Sequence, residues 1–382
     1  MAGQQRQHLT QKLRAQTLPA LGMPPEVFAV LAGTSPPAAT TVARSAAAGE
    51  DEDPMRRRSL IAAGGLALPL GLLARLDDAL AVMPSPSGPA GLADLLQRLT
   101  RARRLYDDGQ IAPLVEGLPG LLSTAHNAVE ESGDRNALVI LSATYALAAD
   151  ALTKIGVREQ ARLTADRAVN YAERSQDPIA RAAADRQLAI VLRHDDRHTL
   201  AQELTLRAAA RVEKIGLTTR AQSAAYAQMV CTAAYNAAQA GDRQDALEMT
   251  REAKAAARTL PPEARRSVLG FTLTPAEVQL YEVGVRWSLG DAGLALESAR
   301  GLKPEMFPTA ERRGRYHTDL ARAWWQRGRA EETADELLAA MRQAPAEVRD
   351  RPAIRTIANE LVDQHRLVPG VRELAAGLGP RR

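Results

Sequence analysis

At 382 residues, with 46% hydrophobic and 25% charged residues, the chain has the make-up of a soluble folded protein, long enough for two or three domains or one extended repeat array. Aromatic residues reach only 3%, so the core has to be filled by Ala and Leu, which suits close-packed helices and weighs against a sheet. The net charge is +4, yet only five of the 49 basic residues are Lys and no basic run stands out beyond Arg56-Arg57-Arg58, a pattern of mixed surface charge rather than of a nucleic-acid footprint.

Residues 1–54 read as weakly structured. His8 to Leu31 has room for one or two short helices broken by Pro19, Pro24 and Pro25, and Thr34 to Pro54 has the Ala, Pro, Ser, Thr and acid content of a linker. Residues 55–84 form a second segment. Three Arg precede an apolar run from Leu60 to Ala74, and Ala79-Leu80-Ala81 has the small residues of a cleavage site. Arg57-Arg58-Ser59-Leu60-Ile61 resembles a twin-arginine export signal, but the run is shorter than the roughly 20 apolar residues of a bilayer span. It also starts far from residue 1, and Asp77 and Asp78 precede the cleavage-like triplet. The expectation is a helix packed on the following array, with no stable membrane span; export by the twin-arginine route is the alternative.

After a Pro/Ser/Gly break at Ser85 to Pro89, the chain from Gly91 to Leu378 is almost wholly amphipathic, with apolar residues three and four apart and stops at Gly, Asp or Pro. Turn residues recur at Gly109, Gly156, Asp196, Gly241, Gly290 and Gly328, spaced 38 to 49 apart. Seven residues before them stand Ala102, Ala149, Ala189, Ala234, Val283 and Ala321. Five residues after them stand Leu114, Ala161, Ala201, Ala246, Ala295 and Thr333. Small residues belong where two helices of a unit touch, because a larger side chain pushes their axes apart. The clearest unit is His317 to Pro345, HTDLARAWWQRGRAEETADELLAAMRQAP. Leu320, Ala321 and Trp324 precede its turn, Thr333, Leu337 and Ala340 follow it, and Pro345 closes it. This is the pattern of a tetratricopeptide (TPR) repeat. The units at Gly109 and Gly290 are the weakest, and Leu260 to Pro275 reads as a loop between units. The expected fold is therefore all-α: a TPR-like α-solenoid over residues 85–382, a right-handed superhelix of about six antiparallel helix pairs. Capping helices are expected at Val348 to Arg366 and Val371 to Leu378.

Catalytic signatures are lacking: no phosphate loop, no nucleotide-binding glycine motif and no nucleophile elbow occurs. The chain is read as no enzyme, with no cofactor and no metal. His194 and His198 stand four apart, but across a predicted turn and without the Glu of a zinc peptidase, and read as a solvated loop. The lone Cys231 permits no intramolecular disulfide, fits a reducing compartment, and reads as a small apolar filler in an Ala-rich helix. Recognition remains. The ligand-facing positions of the first helices, expected to be exposed along a concave groove, include Asp150, Arg186, Gln228, Tyr235, Thr318 and Arg322, with Trp287 and Trp325 near the groove edge. Arg and amide groups suit a peptide's carboxylates and backbone, and the rings supply apolar anchors.

The order of parts has a wider likeness. The Arg-Arg apolar segment, Arg104-Leu105-Tyr106-Asp107-Asp108-Gly109, Leu118-Pro119-Gly120-Leu121-Leu122, Tyr316-His317 with Asp319-Leu320-Ala321-Arg322-Ala323-Trp324, and Ala346-Glu347-Val348-Arg349 together resemble the sensor half of actinobacterial helix-turn-helix regulators of the Xre type. The resemblance covers about residues 55–378. It implies a cytoplasmic regulatory protein whose TPR half receives a peptide or protein signal in control of transcription; a homodimer is compatible with it. That family places a DNA-binding domain first. Residues 1–54 supply no complete helix-turn-helix, which leaves DNA binding by this chain in doubt.

Overall fold

The computed structural model describes residues 70–82, 91–258, 260, 269–271 and 273–379, all within one unit spanning residues 65–382. The readings for residues 1–54 and for Arg57-Arg58 lie outside the described residues. Among the described residues there are sixteen α-helices, one short 3-10 turn at Pro304–Met306 and no strand. In chain order they are α1 Leu70–Ala81, α2 Leu92–Asp107, α3 Ile111–Ser132, α4 Arg135–Lys154, α5 Arg158–Ser175, α6 Pro178–His194, α7 His198–Lys214, α8 Arg220–Gln239, α9 Arg243–Ala257, α10 Pro275–Ser288, α11 Ala292–Ser298, α12 Ala310–Gln326, α13 Ala330–Gln343, α14 Ala346–Arg349, α15 Pro352–Gln364 and α16 Val371–Leu378.

Two kinds of junction build this chain of helices. Between α2 and α3, α4 and α5, α6 and α7, α8 and α9, α10 and α11, and α12 and α13, the turn residue has positive φ: Gly109, Gly156, Asp196, Gly241, Gly290 and Gly328. In all six the N–H of the turn residue bonds the carbonyl three back, and the next N–H bonds the carbonyl five back, as Gly328 to Trp325 and Arg329 to Trp324. That double bond is the Schellman ending of a helix, and it needs a left-handed residue where glycine is favoured. The junctions between successive pairs, from α3/α4 to α11/α12, are closed by side chains. Asp134, Asp177, Thr219, Thr274 and Thr309 accept backbone N–H bonds at the starts of α4, α6, α8, α10 and α12, with complete capping boxes at Thr219/Gln222 and Thr274/Glu277.

The first and second helix of each pair pack together, and the small residues predicted at their contact are buried. Ala149, Ala189, Ala201, Val283, Ala295, Ala321 and Thr333 are all 0% exposed; Ala102 alone is partly exposed. Helix α1 packs on α3 through Leu73, Leu76 and Leu80. Helix α4 is long and apolar enough to cross a membrane, but 72% of that stretch is buried inside the fold, as in a core helix. The predicted single helix from Val348 to Arg366 is instead two, α14 and α15. They part at Asp350 and Arg351 because Pro352 lacks an N–H to continue a helix and begins a new one. The unit at Gly290 is weak because its second helix, α11, has only 7 residues.

The first helices also touch in sequence, α2 with α4, α4 with α6, α6 with α8, α8 with α10 and α10 with α12, and α12 comes back to touch α2. The circuit is locked by charge. Lys154, at the end of α4, donates from Nζ to Glu311 Oε1 at 2.7 Å at the start of α12, and also to Glu347 Oε1 in α14. The three side chains are no more than 8% exposed. Burial alone would lower the lysine's pKa; Glu311 and Glu347 more than reverse this and raise it. Nearby backbones approach closely. A Cβ added at Gly109 would lie 3.0 Å from the Ala344 Cβ, and one at Gly156 would lie 2.8 Å from Pro352 Cγ.

Candidate functional site

Because the six first helices form a circuit, their facing sides share one space, which opens to solvent beside Gly156, His194 and Pro352. It is a cavity of about 540 Å³, lined from α2, α4, α6, α8, α10 and α12 and by the Arg351 to Ala353 and Leu269 to Phe271 segments, within the size range of small-ligand sites. Its wall carries nine Arg and Lys against six Asp and Glu. The acids do not meet the bases evenly. Arg315 Nε bonds Asp319 Oδ2 at 2.9 Å, and Arg322 Nη1 bonds Asp319 Oδ1 at 3.4 Å, so two guanidiniums share one carboxylate. Arg351 donates to Glu347 Oε2 at 2.7 Å, although Glu347 already holds Lys154. Among the described residues, Arg186 and Arg193 have no carboxylate partner. Arg186 bonds Thr232 Oγ1 at 3.0 Å and the Tyr281 hydroxyl at 3.1 Å, and Arg193 bonds Asn236 Oδ1 at 2.8 Å.

Rings support these cations. Arg193 lies 4.8 Å from the Tyr235 ring centroid and Arg322 lies 4.5 Å from that of Trp287, while Tyr235 and Trp287 meet edge to face at 6.3 Å. Crowded positive charge disfavours the cationic forms of the groups that carry it. Burial, then the cations around them, lower Arg193 and Arg322 to about 10. Crowding by the cavity wall, then Arg193, Arg351, Arg315 and Arg322, lower the pKa of His194, although its side chain stays exposed to solvent. Burial would raise Tyr235, but Arg322 and Arg315 together with Arg193 pull it below its usual value. The region is short of anions.

Of the predicted groove residues, Asp150, Arg186, Gln228, Tyr235 and Arg322 line this cavity together. The exposed placement needs correction: Gln228, Tyr235, Thr318 and Arg322 are all below 10% exposed, Tyr235 against Arg193, Gly284 and Trp287 and Arg322 against Trp287. Asp150 is held 3.6 Å from Arg103. Thr318 stands behind the wall, accepting from Arg351 Nη1 at 3.1 Å. Trp287 lies under Arg322 rather than at an edge. Trp325 is elsewhere, packed with the C-terminal helices and against His365. Reading the sequence missed Arg193, Arg315, Asp319, Glu311 and Glu347. The available signal was in α12, where Arg315, Asp319 and Arg322 recur four and three apart on one side of a helix whose neighbours Leu320 and Ala321 are core. The His194 to His198 stretch is the turn expected of it, with Asp196 left-handed, but the His194 ring faces the cavity. Cys231 is buried in α8 and burial pushes its thiol up. In comparison with known proteins, the chain matches no family model and no curated relative.

Proposed function

We propose that this chain is a TPR-like superhelix acting as a cytoplasmic regulatory sensor, which receives a peptide or protein partner in its cavity and acts in transcriptional control. The observation that carries the reading is the convergence of all six first helices on one cation-rich cavity. TPR arrays present the same faces to peptides, and Arg with Tyr and Trp is the residue set of peptide anchors. The part of the partner that enters is small, since a cavity of about 540 Å³ admits a segment and not a folded surface. The burial of Leu76, Ala79 and Leu80 against the fold supports retention of α1 over cleavage there.

A pull-down from native host extract, read by mass spectrometry, tests the proposal with wild type beside Arg186→Ala and Arg322→Glu. The reading requires a peptide or protein recovered by wild type and lost from both variants, and altered transcript levels when the gene is deleted. Equal recovery by all three proteins overturns the cavity as the receiving site. A native chain beginning near Val82 would instead support the exported scaffold.

A further inference from the structure

Helix α1 is joined to the array at a place the cavity does not use. Its stripe Leu73, Leu76 and Leu80 packs on α3. Two of its polar ties lie at the surface. Arg75 stands 3.6 Å from Glu116, with side chains 64% and 61% exposed, and Asp77 Oδ1 accepts from Gln160 Nε2 at 3.1 Å. Exposed ties of this kind add little. The third is part-buried: Arg167 of α5 donates from Nη2 to the Leu80 carbonyl at 3.0 Å. This sets a cation at the carbonyl end of α1, where the helix dipole favours one.

No acid holds Arg167 in that position among the described residues. Its other bond, from Nη1, goes to the Tyr145 hydroxyl at 3.4 Å, and its guanidinium lies 5.7 Å from the Tyr145 ring centroid. Tyr145 is 0% exposed, and its oxygen lies 2.8 Å from His126 Nε2. These contacts fix the direction of a relay. Arg167 can only donate, so the tyrosine oxygen accepts from it. The hydroxyl hydrogen, with no other acceptor among the described residues, goes to His126 Nε2, which is therefore unprotonated. The imidazole is also held in orientation, edge-on to Tyr145 and Tyr171 at 5.7 and 5.4 Å, while those two rings stack at 5.6 Å.

A proton on His126 breaks this arrangement twice. Nε2 becomes a donor and leaves the buried hydroxyl hydrogen without an acceptor. A second cation also arises beside Arg167. Around the ring, α4 contributes Tyr145, α5 contributes Arg167, Tyr171 and Arg174, and α3 itself contributes Glu130. Burial first, then Arg167 with Arg174, hold His126 below the usual histidine value against the pull of Glu130. The docked form favours the neutral ring. Its share of stability is present above the ordinary histidine pKa and is lost as pH falls through the lowered one.

We propose that α1 is a pH-released helix: protonation of His126 breaks the relay through Tyr145 and Arg167, frees the Leu80 carbonyl and loosens α1 from α3. None of the relay residues lines the cavity, so the switch stands whatever the cavity receives.

Hydrogen exchange of the purified full chain, read by mass spectrometry from about pH 7.5 to about pH 5, tests this. Protection is taken relative to an unstructured peptide at the same pH, so that it reports local opening. Protection of Leu70–Ala81 falls by up to about tenfold per pH unit below about 6.5, the slope of one proton, while that of α8 holds. His126→Gln, whose amide oxygen still accepts from Tyr145 and takes up no proton, keeps α1 protected throughout. Arg167→Met removes the tie itself: α1 protection is roughly ten- to a hundredfold lower at every pH and no longer follows pH. Arg75→Gln, at an exposed tie, leaves protection and slope as in wild type. Wild-type α1 protection that stays constant with pH, that falls as steeply in His126→Gln, or that falls only together with α8 overturns the proposal.

Discussion

The seams inside the helix pairs and the space between the pairs are built in opposite ways. At the seams the contacting residues are Ala, Val, Thr and one Leu, all buried but Ala102, with no charge to place. Around the cavity, long charged side chains are held by partial pairings, ring stacks and hydrogen bonds. A seam requires only that two backbones come close, and closeness is met by small size. The cavity wall requires partners from far along the chain: Lys154 meets Glu311 and Glu347 across separations of 157 and 193 residues. Fold is therefore carried by local repetition and the site by distant closure.

The largest effect is expected at the closure. Lys154→Met leaves Glu311 and Glu347 buried and without their shared cation, and should lower stability by about 3–5 kcal/mol in denaturant unfolding. Glu311 is kept ionised in the fold, well below the usual carboxylate range, by Lys154 and Arg312 against the opposing effect of burial. Its share of stability is present above the ordinary glutamate pKa and disappears as the solution is acidified. A loss within a few tenths of a kcal/mol would mean that the clasp is not formed.

At a seam, Ala189→Leu forces extra methylenes into a fully buried helix contact and should cost about 1–3 kcal/mol, with ligand binding unchanged once the protein is folded. If the same exchange at Ala189 were neutral, the seam would not be tightly packed.

These two changes also mark how far sequence reasoning reaches. The six turns and all but one of the small contact residues were legible because a Schellman ending demands a left-handed residue and a seam demands a small one, each at a fixed offset. The burial of Arg322, Gln228 and Tyr235 was not, since it follows from packing between helices far apart in the chain, such as Arg322 on Trp287 and Tyr235 between Arg193 and Trp287, which no one helix alone specifies. The split at Pro352 was open to inspection, as Pro begins helices more readily than it continues them. The Asp and Thr caps that open α4 and each later first helix through α12 are a second periodic signal, complementary to the glycines.

A smaller effect separates closure from seam by pH. Asp350, at the end of α14, has a buried Oδ1 with no partner among the described residues, and burial raises its pKa to about 6. The folded state thus holds the proton more tightly than the unfolded one, and this residue's contribution falls as pH rises from about 4 to 6. Asp350→Asn should stabilise the protein by about 1–2 kcal/mol at pH 7.5, and the gain should vanish near pH 3.5. A gain independent of pH would remove burial of the charge as its cause. The smallest effect belongs to local structure alone: Thr219→Ala removes one half of a capping box and should cost about 1 kcal/mol, with no change in the cavity.

Closure of the circuit around the cavity, where α12 meets α2, is what the reading of the cavity as a receiving site depends on, and a cross-link tests it most directly. In a Cys231→Ala background, Gly109→Cys and Ala344→Cys place two thiols on backbones close enough for a Cβ at residue 109 to lie 3.0 Å from the Ala344 Cβ, near the span a disulfide requires. Mild oxidation of dilute protein should give a fast-migrating monomer on a non-reducing gel, reversed by reductant. Two reactive thiols that yield only dimers, or no bond at all, would contradict the closed circuit.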